Sequence, residues 1–143
     1  MSVKQISVFL ENKEGRLAEV TRVMGENHID ISAISIADTT NFGILRMVVG
    51  NPVKAEAVLK EHGYAVRITS VLVIAVEDIP GNLSMALDTL DKNSIAVDYI
   101  YASMGRTDNR ALVVLKVSDM ETAMDLLSNA GICVLKDDEV YRL

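Results

Sequence analysis

Laid against itself at an offset of 66, the chain matches Glu11, Gly15, Leu17, Asn27, Ile29 and Ile34 with Glu77, Gly81, Leu83, Asn93, Ile95 and Ile100, the same residue type each time. Further on the offset becomes 68, and Val49, Ala55, Leu59, Gly63 and Val66 meet Val117, Ala123, Leu127, Gly131 and Val134. The matches fall on glycines and core-type apolar residues in one order, which marks a duplicated structural unit. The 143 residues therefore divide into two units of about 70, each small enough to borrow core from the other. The expected division is residues 1–68 and 69–143.

Each copy reads strand, helix, strand, strand, helix, strand. Ile6, Val8 and Leu10 alternate with Gln5, Ser7 and Phe9, a strand period. Leu17, Val20 and Met24 follow at helical spacing, as do Leu83, Leu87 and Leu90 in the second copy. The β-branched and apolar segments 30–37 and 43–49 flank a Thr-Thr-Asn-Phe-Gly connection and predict a hairpin, with its counterpart ending in 109–117. Second helices carry Ala55, Val58, Leu59 and His62 in one copy and Met120, Ala123, Met124 and Leu127 in the other. Gly63 and Gly131 stand where a helix-ending residue takes positive φ.

The βαββαβ order predicts an α+β fold of two ferredoxin-like units, each an antiparallel sheet with both helices on one face. Residues 65–68 run through Thr69 and Ser70 almost directly into Val71, so the units are expected to be rigidly coupled, with sheets joined edge to edge. The helix-free faces still require cover. Residues 71–76 are apolar throughout and 111–117 at all but Lys116, which predicts burial on both sides of those strands. A second subunit would supply the cover, so a homodimer is expected.

Composition excludes several classes. With 14 basic and 20 acidic side chains the net charge is −6, and there are no Trp, two Phe and four Tyr. Nucleic-acid binding would want a basic stripe and stacking aromatics. The longest apolar run, 71–76, is six residues, against the ~20 needed to span a bilayer. The alternation from Gln5 to Val8 is a strand pattern rather than the apolar core of a signal peptide, which predicts a cytoplasmic protein. Cys133 is the single cysteine, leaving no intramolecular disulfide or thiolate cluster, and among Ile132, Val134 and Leu135 it is expected to be buried. His28 and His62 lie near helix ends, where a dipole contact is commoner than a metal. Met24, Met120 and Met124 read as core packing, and Arg106 and Arg110 as flanks of a solvated turn. No Ser/His/Asp set, P-loop or facing carboxylate pair is present, so neither catalytic residues, a metal nor a cofactor are expected.

The two first-strand-to-helix loops, 11–17 and 77–83, carry the most chemical information. Each places an Asx residue, Asn12 or Asp78, three before a glycine, Gly15 or Gly81, at a helix start. Unpaired N–H groups and the positive end of the helix dipole can hold a carboxylate there. A plainer role for Asn12 and Asp78 is capping, with Pro80 in the first turn. Asp30 opens the second strand and is expected beside the first loop, able to meet an ammonium; its counterpart is Ala96.

These loops and the repeat resemble the ACT domain, a regulatory module of amino-acid metabolism. The likeness spans both copies: Asn12, Gly15, Leu17, Asp30 and Ile31 match the pattern once, and Asp78, Pro80, Gly81 and Leu83 match it again. Residues 6–37 are particularly similar to acetolactate synthase regulatory subunits and to the serine-binding module of phosphoglycerate dehydrogenase. The resemblance implies a non-catalytic module in which the loop residue and the strand-opening residue contact a bound amino acid across a domain interface. It points to Asn12, Glu14, Gly15, Arg16, Leu17, Asp30 and Ile31, and to Asp78, Gly81 and Leu83, as ligand-binding residues. Glu14 stands where the family has Pro and Asp30 where it has Asn, so a more cationic ligand is compatible. The expected function is a sensor of a free amino acid that acts on an amino-acid metabolic enzyme. The alternative is a structural or regulatory subunit of such an enzyme, without a ligand of its own.

Overall fold

The computed structural model describes residues 2–11, 13–38, 41–107 and 109–142. The first repeat comprises β1 (Val3–Glu11), α1 (Arg16–Glu26), β2 (Ile31–Asp38), β3 (Phe42–Val49) and α2 (Pro52–Glu61). A long strand, β4 (Ala65–Glu77), closes it and opens the second repeat, which continues with α3 (Asn82–Lys92), β5 (Val97–Thr107), β6 (Arg110–Val117), α4 (Met120–Asn129) and β7 (Cys133–Val134). A short helix, α5 (Asp137–Tyr141), follows. The two-copy βαββαβ reading holds. Thr69 and Ser70, which look like a junction, are paired with Gln5 and Lys4, and β4 passes through them as one strand.

Local chemistry explains the helix ends. Asn51 caps α2 by accepting from the Lys54 N–H, with Pro52 in the first helical position, where no N–H is needed. Asp119 does the same for α4 through the Thr122 N–H. Gly63 and Gly131 follow helix ends with φ of 85° and 81°, a conformation nearly reserved for glycine.

All pairings are antiparallel, and the ladder returns to its start. β1 pairs β3, β3 pairs β2, β2 meets β5 at Ala33 and Ser103, β5 pairs β6, and β6 pairs the second half of β4, whose first half pairs β1. The result is a closed ring of six strands with β7 laid on β4. Alternation then sorts the side chains into three cores. Ile6, Val8, Leu45 and Met47 pack under α1 and α2 with Val20, Met24 and Leu59. Leu72, Ile74, Leu115 and Val117 pack under α3 and α4 with Leu90 and Leu127.

The third core overturns the reason for expecting a second subunit. Val3, Ala33, Val48, Val71, Val73, Ala75, Leu112 and Val114, from the helix-free faces of both repeats, pack on one another with Leu135 and Val140. Each repeat thus covers the bare face of the other within one chain. The tail from Leu135, unforeseen in the sequence, plugs this core: the Leu135 N–H bonds to the Val73 carbonyl, and the Lys4 N–H to the Tyr141 hydroxyl at 2.8 Å. Cys133 is exposed rather than buried, because β7 is only two residues long and lies at the sheet margin.

One polar cluster bridges the repeats. Gln5, with no exposed surface, donates through Nε2 to Ser7 Oγ at 3.2 Å and to the Tyr99 hydroxyl at 2.8 Å, and its Oε1 accepts from Tyr101 at 2.7 Å. The Arg46 guanidinium lies 3.8 Å from the Tyr99 ring centroid. Burial raises the Tyr101 phenol above its ordinary value, Tyr99 adds to the rise and Arg46 opposes it. A group raised on folding gives stability that is complete below its unfolded pKa and lost as pH climbs through the folded one. Stability is therefore expected to fall above about pH 10, by up to about 1.4 kcal/mol per pH unit from this group. Urea melts at rising alkaline pH check this, and Tyr101→Phe should flatten the decline.

Candidate functional site

Both β-to-α loops end in a glycine that the backbone demands. Gly15 and Gly81 are the residues before α1 and α3, with φ of 83° and 96°, and neither helix start receives a side-chain cap. Asp78 therefore does not cap α3, and Pro80 precedes the helix rather than entering its first turn. Asn12 lies outside the described residues. At each start two N–H groups, those of Leu17 and Ala18 and those of Leu83 and Ser84, have no partner among the described residues. Leu17 and Leu83 stand partly exposed beside them, as a wall for an apolar group.

The two loops differ in how much space they leave. In the first repeat, Lys13 bonds Glu11 at 2.8 Å and holds its carboxyl below the usual range, chiefly through that hydrogen bond. Arg16 approaches Glu19 at 3.9 Å, and Glu14 is exposed. A cavity of about 120 Å³ remains among Phe9, Glu11, Arg16, His62, Gly63 and Tyr64. The Tyr64 hydroxyl is buried there without a hydrogen-bond partner among the described residues; burial is the main cause that raises its pKa, Glu19 adds to the rise and Arg16 opposes it. In the second repeat the corresponding cavity, about 270 Å³, is lined by Glu77, Asn82, Met85, Arg110, Gly131, Ile132 and Cys133 among others. Asn82 and Ile132 replace Arg16 and Tyr64 at the repeat offsets, which opens the space. The loop is tied to the β5–β6 hairpin by the Asp78 N–H to the Asn109 carbonyl at 3.0 Å. Arg110, read from sequence as a solvated turn residue, lines this cavity and a second one beside Asp78 and Ile79. The side chain of Arg106 lies outside the described residues.

The position of Asp30 corrects the sequence reading. Strands β1 and β2 both pair antiparallel with β3, so they run parallel and start at the same end. The first loop leaves β1 at Glu11, opposite Phe42, whereas β2 begins at Ile31, opposite Val49. Seven residues of β3, ~23 Å at strand rise, separate these ends. Asp30 instead lies toward the β5–β6 hairpin, since Ala33 pairs Ser103 and the strands run antiparallel. That hairpin end also holds Arg110, paired with Glu77 at the root of the second loop. Asp30 thus shares an end of the β2–β5 seam with the loop of the other repeat, and Ala96 shares the opposite end with the first loop. Ile31 is half-buried against the first core.

The repeat, the ring and the paired loops have a counterpart among known families. A family model described as an ACT domain pair matches residues 1–143. The chain belongs to the ACT domain pair family. Protein BT0572 from Bacteroides thetaiotaomicron has a solved structure that is 38% identical in sequence, covering 100% of this chain and 98% of that one, with a TM-score of 0.93. The ACT-pair fold is also that of the regulatory subunit of aspartate kinase from Thermus thermophilus, at 14% identity, TM-score 0.67, covering 91% and 93% of the two chains. Aspartokinase alpha and beta subunits share it too, at 18% identity, TM-score 0.60, covering 89% and 90%. No curated protein matches the sequence. The likeness to acetolactate synthase subunits and to phosphoglycerate dehydrogenase rests on the sequence pattern. Among the described residues no cluster of three His, Cys, Asp or Glu side chains could hold a metal, and no helix is long and apolar enough to cross a membrane.

Proposed function

We propose that this ACT domain pair is a regulatory sensor that binds a free amino acid at the seam between its repeats. The observation that carries this reading is the trans arrangement of the seam, where the strand-opening Asp30 of one repeat lies at the same end of the β2–β5–β6–β4 ladder as the loop of the other. The site has Asp78, Gly81 and Leu83 on the loop, the unpaired Leu83 and Ser84 N–H groups for the ligand carboxylate, and Asp30 for its ammonium. Arg110 flanks it. The first loop, whose sequence carries Asn12, Glu14, Gly15, Arg16 and Leu17, has Ala96 rather than a carboxylate at its end of the seam, so it is the weaker site. One chain supplies both halves of each site, so binding should not require a second copy.

A regulator must hold its ligand differently in two states. A ligand bridging the seam does so whenever the repeats shift against one another or against an enzyme. The solved aspartate kinase regulatory subunits share the fold, which favours an amino-acid metabolic enzyme as recipient of the signal.

Thermal unfolding against the twenty amino acids tests the reading. The right ligand at a hundred times its Kd should add ~2.7 kcal/mol. Asp30→Ala should weaken it by roughly 1.5–3 kcal/mol, the worth of a charge-assisted contact. No shift with any amino acid overturns the sensor reading. A shift untouched by Asp30→Ala removes the seam.

A further inference from the structure

The inner face of the first-repeat sheet holds an arrangement that packing does not explain. Arg67, Ser7 and Arg46 lie in one line across β4, β1 and β3. By alternation all three share the face of Val71, Val3 and Val48 in the inter-repeat core. Two arginines thus stand on the strands either side of one buried serine, in a chain whose net charge is negative. Among the described residues neither has a carboxylate within 4.0 Å.

Hydrogen-bond polarity points the same way. Gln5 spends both Nε2 protons on Ser7 Oγ and the Tyr99 oxygen. Those two hydroxyls therefore direct their own protons elsewhere, and neither has an acceptor among the described residues. Arg46, stacked on Tyr99, adds its N–H groups beside them. The cluster presents free donors and positive charge with no carboxylate, the polarity that receives an anion. It offers no acid for an ammonium. One step further along the same face come Phe9 and Ile44, paired with each other, then Phe42; Phe9 is 42% and Phe42 51% exposed.

We propose a second binding site here, for a small organic carboxylate with an apolar body and no ammonium, such as a branched 2-oxo acid. Arg46 and Arg67 clamp the carboxylate over Ser7 and Tyr99, and the body lies on Phe9 and Ile44. A planar carboxylate suits the guanidinium fork, and the apolar wall distinguishes it from inorganic phosphate. A second copy docked with its two-fold axis through this patch would bring like charges onto Arg46 and Arg67, which disfavours that occupant. The site lies on the other face of the sheet from the helices and is independent of the seam reading.

Calorimetric titration of the full chain at low salt with 4-methyl-2-oxopentanoate is the test, with leucine and inorganic phosphate as comparators. Binding of the oxo acid is expected, weakened about tenfold or more by Arg46→Gln and about threefold or more by Arg67→Gln, and unchanged by Asp30→Ala. Because the chain has four Tyr and no Trp, the same titration should change tyrosine fluorescence through Tyr99. Circular dichroism establishes that each variant is folded, and Arg67→Gln, on an exposed side chain, serves if Arg46→Gln is not. The proposal is overturned by absence of binding at millimolar oxo acid, by full binding in both arginine variants, or by phosphate binding as tightly. A dimer that Arg46→Gln dissociates also overturns it, giving the face to a second copy.

Discussion

Leu115→Ala is expected to destabilise the whole chain by roughly 2–5 kcal/mol, and to unfold both repeats in one transition. Leu115 is fully buried under the second-repeat helices and pairs with Leu72 and Ile100 across the sheet. Removing its branch leaves a cavity that the closed ring has little freedom to collapse. The coupling follows from β4, whose residues 65–71 belong to the first sheet and 72–77 to the second. Breaking the second repeat leaves half of a strand unpaired and strips the inter-repeat core from the first. Hydrogen exchange at Ile6 and Val8 should therefore follow the same midpoint as exchange at Val113 and Leu115. Two separate midpoints would show that the repeats fold independently.

Gln5→Met keeps most of the side-chain volume while deleting three hydrogen bonds. The Tyr101 hydroxyl then has no acceptor in a site it cannot leave, and a loss of roughly 2–3 kcal/mol is expected from denaturant melts. Because the cost lies mainly in the orphaned hydroxyl, adding Tyr101→Phe should recover part of it. The double variant should be more stable than the sum of the single losses predicts. Strict additivity would show that Gln5 and Tyr101 are merely neighbours.

The fold was legible in the sequence because its strongest signals are local. The alternation of Ile6, Val8 and Leu10, the helical spacing of Leu83, Leu87 and Leu90, and the positive φ at Gly63 and Gly131 each depend on a few neighbouring residues. The even hydrophobicity of 71–76 correctly announced that both faces of the strand need cover. What covers them is a long-range fact, and local pattern could not distinguish the other repeat from another molecule. The site was legible as loops but not as an assembly. Asp30 looks close to Gly15 along the chain, yet the parallel course of β1 and β2 places it at the far end, with the other repeat's loop. Arg110 was unremarkable in sequence, because its importance comes from pairing with Glu77 at the cavity wall. Cys133 followed an apolar neighbourhood that a two-residue strand cannot bury.

The meeting of the two sheets also bears on which strand edges stay open. In an open four-stranded ACT sheet two outer strands would offer rows of unpaired N–H and carbonyl groups, templates for indiscriminate strand addition. Here β2 meets β5 at one residue pair, Ala33 with Ser103, and β4 pairs β1 along residues 65–71, so the margins are shortened rather than removed: β7 and the far side of β4 at 65–71 stay open among the described strands. Arg67 stands in that open stretch of β4, a charge of the kind that discourages strand addition. The fusion of two copies thus brings together, within one chain, the strands β2 and β5 that would each be the outer edge of a separate repeat.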